Sequence, residues 1–383
     1  MSLTEPPRIL IVGGSVRAAA ASASRAGLHP LCVDRFGDED LRRFATIVAV
    51  NDDLRKTLAA IEELEPTPWM YTGPLENDRR LIAAISRKHP LLGNDASILR
   101  RVRDPFWAEA TLRGAGLSVL AHRPMSRPPP SDGRWLLKPR HGGGGSGIAP
   151  WNGQRLPGRT PCYFQERRHG VDLSALFVAG PERVELVGIC KQLIGTTAQA
   201  PQDFGYAGSI GPIRLPDGVR DQLQQIGVVL VKASGLRGLF GVDFVWEDGV
   251  PWLVEINPRY TASVEVLERA TGRMLLAEHV ASCLGDRDSP PRGMSRERQT
   301  KLMVGKQIVF APHDLTISSG TPPWNSLGTL DENPWLADIP AVGSRIARGW
   351  PICTVFAEGS TAEQCRSLLA ARRESILAAT QRS

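Results

Sequence analysis

Four consecutive glycines, Gly142, Gly143, Gly144 and Gly145, followed by Ser146 and Gly147, constrain this chain more than any other stretch. Glycine is disfavoured inside helices and strands, so the run must be a loop between ordered elements. Trp135-Leu-Leu-Lys138 before it and Cys162–Glu166 after it both read as strands. Backbone N–H groups unobstructed by side chains can turn together toward phosphate oxygens. Lys138 arrives on the strand just ahead of them. In a P-loop the lysine follows the glycines, so the order here is reversed. The plain alternative is a flexible surface hairpin.

That lysine stands out because lysine is scarce. Of 46 Lys and Arg residues in 383, seven are lysines (56, 88, 138, 191, 232, 301 and 306). A compact ammonium and a planar guanidinium are not interchangeable, so the placement of the few lysines is informative. The formal net charge is only +6, and the cations are mixed with 40 acids, which argues against a nucleic-acid-binding stripe. A hydrophobic share of 42% with 22% charged residues excludes wholesale disorder. The longest apolar runs, such as 226–231, fall far short of the ~20 residues of a membrane span. Nothing near Glu5-Pro6-Pro7 resembles a signal peptide. Six scattered cysteines form no CxxC or Cys/His cluster, which speaks against zinc or a disulfide framework and for a reducing cytoplasm.

Strand and helix patterns alternate over residues 1–95: Arg8–Val12, Leu31–Asp34, Thr46–Val50 and Trp69–Pro74 as strands, with helices between. This predicts a doubly wound α/β unit. After the first strand, Gly13-Gly14-Ser15-Val16-Arg17-Ala18 departs from G-x-G-x-x-G, since Ser15 and Ala18 take the second and third glycine places. A tight turn into a helix and an anion contact both remain open there. Further on, a helix over Phe106–Gly114, a proline-rich connector 124–130 and strands at 184–190, 241–246 and 252–256 are expected. The polar stretch 286–298 reads as a linker to a final unit, whose last helix has Ser360 as its expected N-cap and Glu363 completing a capping box.

The second chemical feature is the segment from Gly241-Val-Asp243 through Asp248-Gly249 to Glu255-Ile-Asn257-Pro258-Arg259. A three-residue loop at 248–250 would set Asp243 opposite Glu255, with Asn257 on the same face. A two-residue loop would put the acids on opposite faces. Three hard oxygen donors on one face suit Mg²⁺ better than zinc. The plain alternative is a solvated face with an arginine partner. The seven histidines form no recognisable constellation, and His141 reads as a loop residue.

Taken in order, the glycine loop, the segment Gln165-Glu166-Arg167-Arg168-His169-Gly170-Val171-Asp172 and the Asp243…Glu255-Ile-Asn257-Pro-Arg259 hairpin resemble the ATP-grasp superfamily of carboxylate–amine ligases over about residues 96–290. Tyr71-Thr-Gly-Pro-Leu-Glu76-Asn77 resembles a motif of one poorly characterised branch, and the segment Ala337–Thr354 is similar to the closing domain of enzymes related to the carboxylases. The resemblance implies an α/β and α+β architecture. It consists of a pre-ATP-grasp domain at 1–95, a two-lobed ATP-grasp domain at 96–295 (small lobe about 96–164, large lobe about 165–295) and a small β-rich domain with a final helix at 296–383. It also implies ATP and two Mg²⁺ ions, with Mn²⁺ able to substitute.

By the same resemblance, Lys138 would contact the α-phosphate and adenine side, and residues Gly142 to Gly147 would cover the β- and γ-phosphates. Gln165, Glu166 and Arg168 would belong to the hinge that reads adenine, and Asp172 would bind the ribose. Asp243, Glu255 and Asn257 would hold the metal ions, while Lys191 and Arg259 would act as catalytic cations at the γ-phosphate. Two departures stand out. Pro105 occupies a place where the family usually has lysine, with Arg101 or Arg103 as substitutes, and Gln165 stands where many members carry an acid.

The implied reaction joins a small-molecule carboxylate to an amine, or to a thiol, through an acyl-phosphate with release of ADP and phosphate. A cofactor pathway, such as pterin-linked one-carbon metabolism with glutamate as the added amino acid, is the branch's implied setting. Neither nucleic acid nor membrane is an expected partner, and a homodimer is an expected form. A biotin-carboxylase-like enzyme forming carboxyphosphate and a non-catalytic ATP-binding protein are the alternatives. A dinucleotide oxidoreductase is disfavoured by the broken glycine pattern.

Overall fold

A computed structural model describes residues 5–51, 53–154, 161–196, 199–285, 302–318 and 334–380. The expected linker at 286–298, and with it the boundary at 295, lies outside these residues.

The first segment alternates as expected: β1 (Arg8–Val12), α1 (Arg17–Arg25), β2 (His29–Asp34), β3 (Thr46–Val50), α2 (Leu54–Ile61), β4 (Trp69–Tyr71) and α3 (Arg79–Ile85). The sheet is parallel, in the order β3-β2-β1-β4. Ile9 and Ile11 enter one core with Ala19, Ala20 and Ala23 of α1, while Leu10 and Val12 enter another with Ile82 and Ile85 of α3. Burial on both faces explains why β1 is apolar throughout rather than alternating.

The turn after β1 is glycine-rich for a packing reason. A Cβ on Gly13 would lie 1.9 Å from Thr72 Oγ1, and Gly14 N–H donates to the Gly73 carbonyl at 2.9 Å. Asp34, at the end of β2, accepts from the backbone N–H groups of Val16, Phe36 and Gly37 at 2.8, 2.9 and 2.7 Å. Both features close a turn, and neither leaves a cradle of the dinucleotide kind.

Next come α4 (Ala96–Val102), α5 (Pro105–Gly114), β5 (His122–Pro124), β6 (Trp135–Pro139), β7 (Ala149–Pro150) and β8 (Cys162–Glu166). The strands form a small antiparallel sheet in the order β5-β8-β6-β7. Pro105 is the first residue of α5, and Asp104 caps the Phe106 N–H at 3.1 Å. A proline suits that position because its missing N–H would have no helical partner.

The large part contains β9 (Val171–Ala179), β10 (Val184–Ile194), β11 (Tyr206–Gly211), α6 (Asp217–Ser234), β12 (Gly238–Glu247), β13 (Val250–Asn257), α7 (Ala262–Thr271) and α8 (Leu275–Leu284). The chain then supplies β14 (Met303–Phe310), β15 (Leu315–Thr316), β16 (Leu336–Ala337), β17 (Arg345–Ile346), β18 (Pro351–Gly359) and α9 (Ala362–Thr380). Most of these last strands build no sheet of their own. They extend the large one, whose order is β13-β12-β9-β10-β11-β14-β18-β16, and among the described residues β15 and β17 pair apart from it. The cap of α9 sits one residue later than the sequence suggested. Thr361 Oγ1 accepts from Gln364 N–H at 3.2 Å, and Gln364 Oε1 accepts from Ser360 N–H at 2.9 Å. Gln364 therefore plays the part expected of Glu363.

One apolar core joins all three segments: Ile9 and Ile11 meet Leu239, Val264 and Leu275, which meet Val304 and Phe356. A buried ionic cluster follows the same seam. Arg17 of α1 pairs with Glu265 of α7 and, at 3.0 Å, with Asp338 near the C-terminus. Lys306 Nζ reaches Glu265 at 2.8 Å, and Asp40 lies 3.6 Å from Arg17. Among the described residues no helix is long and apolar enough to cross a membrane.

His279 of α8 marks another junction. Its Nδ1 accepts from Leu239 N–H at 2.8 Å, and its Nε2 faces the Leu92 carbonyl at 3.1 Å. Burial lowers its pKa to about 4. The unfolded imidazole binds a proton near pH 6.5, whereas the folded one resists until about pH 4. This contribution to stability is therefore complete above pH 6.5 and is lost as the pH falls to 4. Urea unfolding at pH 7.5 and 5.5 should show wild type losing about 1 kcal/mol more stability than His279→Gln, which keeps one acceptor and one donor. Equal losses in the two proteins would refute this role.

Candidate active site

The hairpin of β12 and β13 carries the acids. Glu247 pairs with Val250, so the loop is the two-residue Asp248-Gly249, with φ of 51° and 79°. That is the positive-φ pair of a tight hairpin turn, and it corrects the expected loop at 248–250. Taken alone it would separate the acids. A bulge restores them: Asp243 pairs with Glu255 while Phe244 pairs with Leu253, leaving Val254 as the extra residue. The bulged Val254 carbonyl accepts from Gln165 Nε2 at 3.0 Å.

Amides and arginines surround the acid pair. Asp243 accepts from Gln192 Nε2 and from Asn257 Nδ2, each at 2.9 Å. Glu255 is ion-paired to Arg103, whose Nη2 also donates to Asn77 Oδ1 at 3.1 Å and to the Gly142 carbonyl at 3.0 Å. Arg101 instead donates to the Ser234 carbonyl at 3.2 Å, so Arg103 is the cation that reaches this corner. Arg259 pairs with Glu76 at 2.8 Å, and its Nη2 lies 3.4 Å from Asn257 Oδ1.

The electrostatics follow. Burial and then the neighbouring charge of Glu255 push the Asp243 carboxyl up to about 7. Burial opposes ionisation of Glu255 as well, but Arg103 and Lys138 outweigh it and hold that carboxyl below its usual range. Two carboxylates and an amide oxygen offer hard donors to Mg²⁺, and the raised Asp243 registers a repulsion that a divalent cation would relieve. Among the described residues no group of three His, Cys, Asp or Glu side chains could hold a metal alone. The donor set thus fits an ion completed by phosphate oxygens or water and does not fit structural zinc.

A cavity of about 470 Å³ opens between the small and large sheets. Of the residues singled out in the sequence, Lys138, Gly144, Gly145, Gln165, Glu166, Arg168, Asp172, Asp243, Glu255, Asn257 and Arg259 line it. Gly142, Gly143 and Ser146 line a smaller one of about 60 Å³ beside Arg103 and Pro105. Lys191 lines neither. It pairs with Leu173 and Ile210 across the sheet, whereas its neighbour Gln192 reaches Asp243. Side chains alternate along a strand, so Gln192 takes the site face and Lys191 the other.

Lys138 is buried and donates to Gln165 Oε1 at 3.0 Å. Gln165 Nε2 also lies 3.0 Å from His122 Nε2, so an amide holds the lysine where an acid was expected. Arg168 pairs with Glu166 at 2.8 Å and lies 4.0 Å over the Trp252 ring. Burial raises the pKa of Asp172.

The glycine loop is closed down on the large part. Tyr206 N–H donates to the Gly144 carbonyl at 3.1 Å. A Cβ on Gly145, whose φ is +80°, would lie 1.7 Å from the Phe204 carbonyl oxygen. Gly145→Ala should therefore prevent this closure. The left-handed backbone alone costs a side chain about 1–2 kcal/mol, so isothermal titration should show the affinity for a non-hydrolysable MgATP analogue falling about tenfold or more. An unchanged affinity would mean that closure and nucleotide binding are separate.

Sequence reasoning missed Gln192 and did not place Glu76 and Asn77 in the site, although it singled out their motif. Asn77 Nδ2 donates to the Gly142 carbonyl at 3.1 Å, so the motif reaches from the first sheet to the glycine loop and to Arg259.

Residues 109–263 match the family model described as ATP-grasp domain. Over these residues the chain has the sequence of an ATP-grasp domain. An uncharacterized protein of Methanocaldococcus jannaschii is 25% identical over 229 residues, 58% of this chain and 50% of that one. The chain thus spans about half the length of that relative. Biotin carboxylase of Campylobacter jejuni superposes with a TM-score of 0.71 at 13% identity, covering 98% of this chain and 95% of that one. N5-carboxyaminoimidazole synthetase of Staphylococcus aureus gives 0.67 at 14% identity, covering 98% and 100%. These likenesses establish the ATP-grasp fold along nearly the whole chain.

Proposed function

We propose that this chain is an ATP-dependent carboxylate–amine ligase. The observation that carries the reading is the Asp243–Glu255 pair, with Asn257 and Arg259 beside it in one cavity with Lys138 and Gly144–Gly145. ATP would lie with its adenine along Gln165–Arg168, its ribose at Asp172 and its phosphates under the loop. Asp243, Glu255 and Asn257 would hold Mg²⁺, which supplies charge neutralisation at the phosphates when bound.

The substrate carboxylate then attacks the γ-phosphorus and the bond to the β-phosphate oxygen breaks, leaving ADP and an acyl-phosphate. Arg259, oriented by Glu76, is placed to steady the transferring group. An amine attacks the acyl carbon, phosphate departs with the bonding pair, and the amine proton passes to solvent or phosphate. In this scheme Arg103 must exchange Glu255 for the incoming ion.

The likeness to biotin carboxylase supports a second reading, in which bicarbonate is the acid and carboxyphosphate the intermediate. A screen of acids and amines for ADP release, omitting each component in turn, separates them. Dependence on an organic acid and an amine supports the ligase, and dependence on bicarbonate alone supports the carboxylase. ATP binding without turnover for any pair would leave a nucleotide-binding protein. Placement in cofactor biosynthesis, with an amino acid added to a pterin-linked cofactor, rests on the likeness of the Tyr71–Asn77 motif.

A further inference from the structure

Lys191 leads to a third cavity. It opens at the end of β9 and β10, bounded on its other side by α9, with a volume of about 530 Å³. Lys191 enters from the strand. Arg366 and Arg373, seven residues apart and hence on one side of the helix, enter from α9, and Gln199 and Gln307 add amides. One carboxylate, Asp172, lines the same space and feels the charge of Lys191.

The other acids nearby neutralise the arginines poorly. Glu363 lies 3.4 Å from Arg366 and Glu374 lies 3.8 Å from Arg373, and both acids are more than 70% exposed. Such solvated pairs hold little energy, so both guanidinium forks can turn to a better partner. Leu193, Leu369 and Ala370 supply apolar wall between the cations.

We propose that this cavity is a second ligand site, distinct from the nucleotide cleft. Its ligand is a small organic anion presenting a phosphate or carboxylate group to Lys191, Arg366 and Arg373. Three cations from two elements match an oxyanion with several acceptor lone pairs, and planar guanidinium forks favour these two groups. The volume exceeds what an inorganic ion needs, and the apolar wall accommodates a carbon skeleton. The two cavities share Gly170, Asp172, Gln192 and Ile194 as a common wall, so the sites adjoin without sharing their cations.

The test uses the full chain and two probes, pyrophosphate for the phosphate class and citrate for the carboxylate class. Each is titrated calorimetrically with and without a saturating non-hydrolysable MgATP analogue. The expected result is saturable binding of one probe that persists with the analogue present. It should weaken about tenfold for each cation lost in Arg366→Gln, Arg373→Gln and Lys191→Gln, and Arg366→Lys should retain most of it. Lys191→Gln lies on a strand and the arginine variants on a helix, so misfolding of one leaves the others to decide. The proposal is overturned if neither probe binds at millimolar concentration, if the analogue displaces the probe, or if the folded cation variants bind as wild type does.

Discussion

Asp243→Asn and Glu255→Gln are each expected to lower Mg²⁺-dependent ADP formation on the order of 100-fold or more, since on the proposed reading each would take a charged ligand from an ion that would supply several kcal/mol of charge stabilisation. The folded proteins should not suffer in proportion. Asp243 is pushed up to about 7 by burial and by Glu255, so an uncharged amide removes a repulsion that the ion-free protein otherwise carries. Asp243→Asn should therefore keep or raise the midpoint of thermal unfolding without Mg²⁺, and it should lose the upward shift that Mg²⁺ with a nucleotide analogue gives wild type. Coupled-enzyme detection of ADP and a thermal scan with and without Mg²⁺ read both effects. Intact turnover in both variants would remove these residues from the metal site and the ligase reading with them.

The second large effect concerns stability. Arg17 lies at the meeting point of α1, α7 and the C-terminal segment, buried among Glu265, Asp338 and Asp40. Arg17, Lys306 and Arg269 together hold the Glu265 carboxyl well below its usual range, although burial opposes this. Arg17→Met keeps much of the side-chain volume and removes the charge. Breaking a buried ion pair from one side typically costs about 3–5 kcal/mol, because the partner charge stays behind. Urea unfolding should show a loss of that size, partly recovered in the double variant Arg17→Met/Asp338→Asn. A loss below about 1 kcal/mol, the range of exposed pairs, would mean that Lys306 and Arg269 suffice.

Much of this arrangement was legible from the sequence because its signals are local. The alternation of strand and helix over residues 1–95, the glycine run and the order of the hairpin residues each depend on near neighbours. What escaped depends on pairing at a distance. Asp243 does face Glu255, but through a two-residue turn and a bulge at Val254 rather than a longer loop, and two compensating one-residue shifts leave the residue spacing unchanged. Lys191 and Gln192 are adjacent polar residues in a strand that is apolar on both faces, so composition could not say which one faces Asp243. Arg101 and Arg103 were equivalent candidates on paper. The end of α4 sends Arg103 to Glu255 and Arg101 to the Ser234 carbonyl. The roles of Glu76 and Asn77 required the first sheet to be docked against the cleft.

The continuous sheet from β13 to β16 has a practical consequence for anyone dissecting this protein. A chain ended at residue 285 would strip β14 from β11 and leave an open edge along Gly208–Gly211, on the side away from β10. Open edges recruit other chains, so such a fragment should aggregate rather than behave as a minimal catalytic unit. The C-terminal segment shares one continuous sheet with the hairpin that carries Asp243 and Glu255, and the chain should melt in one transition.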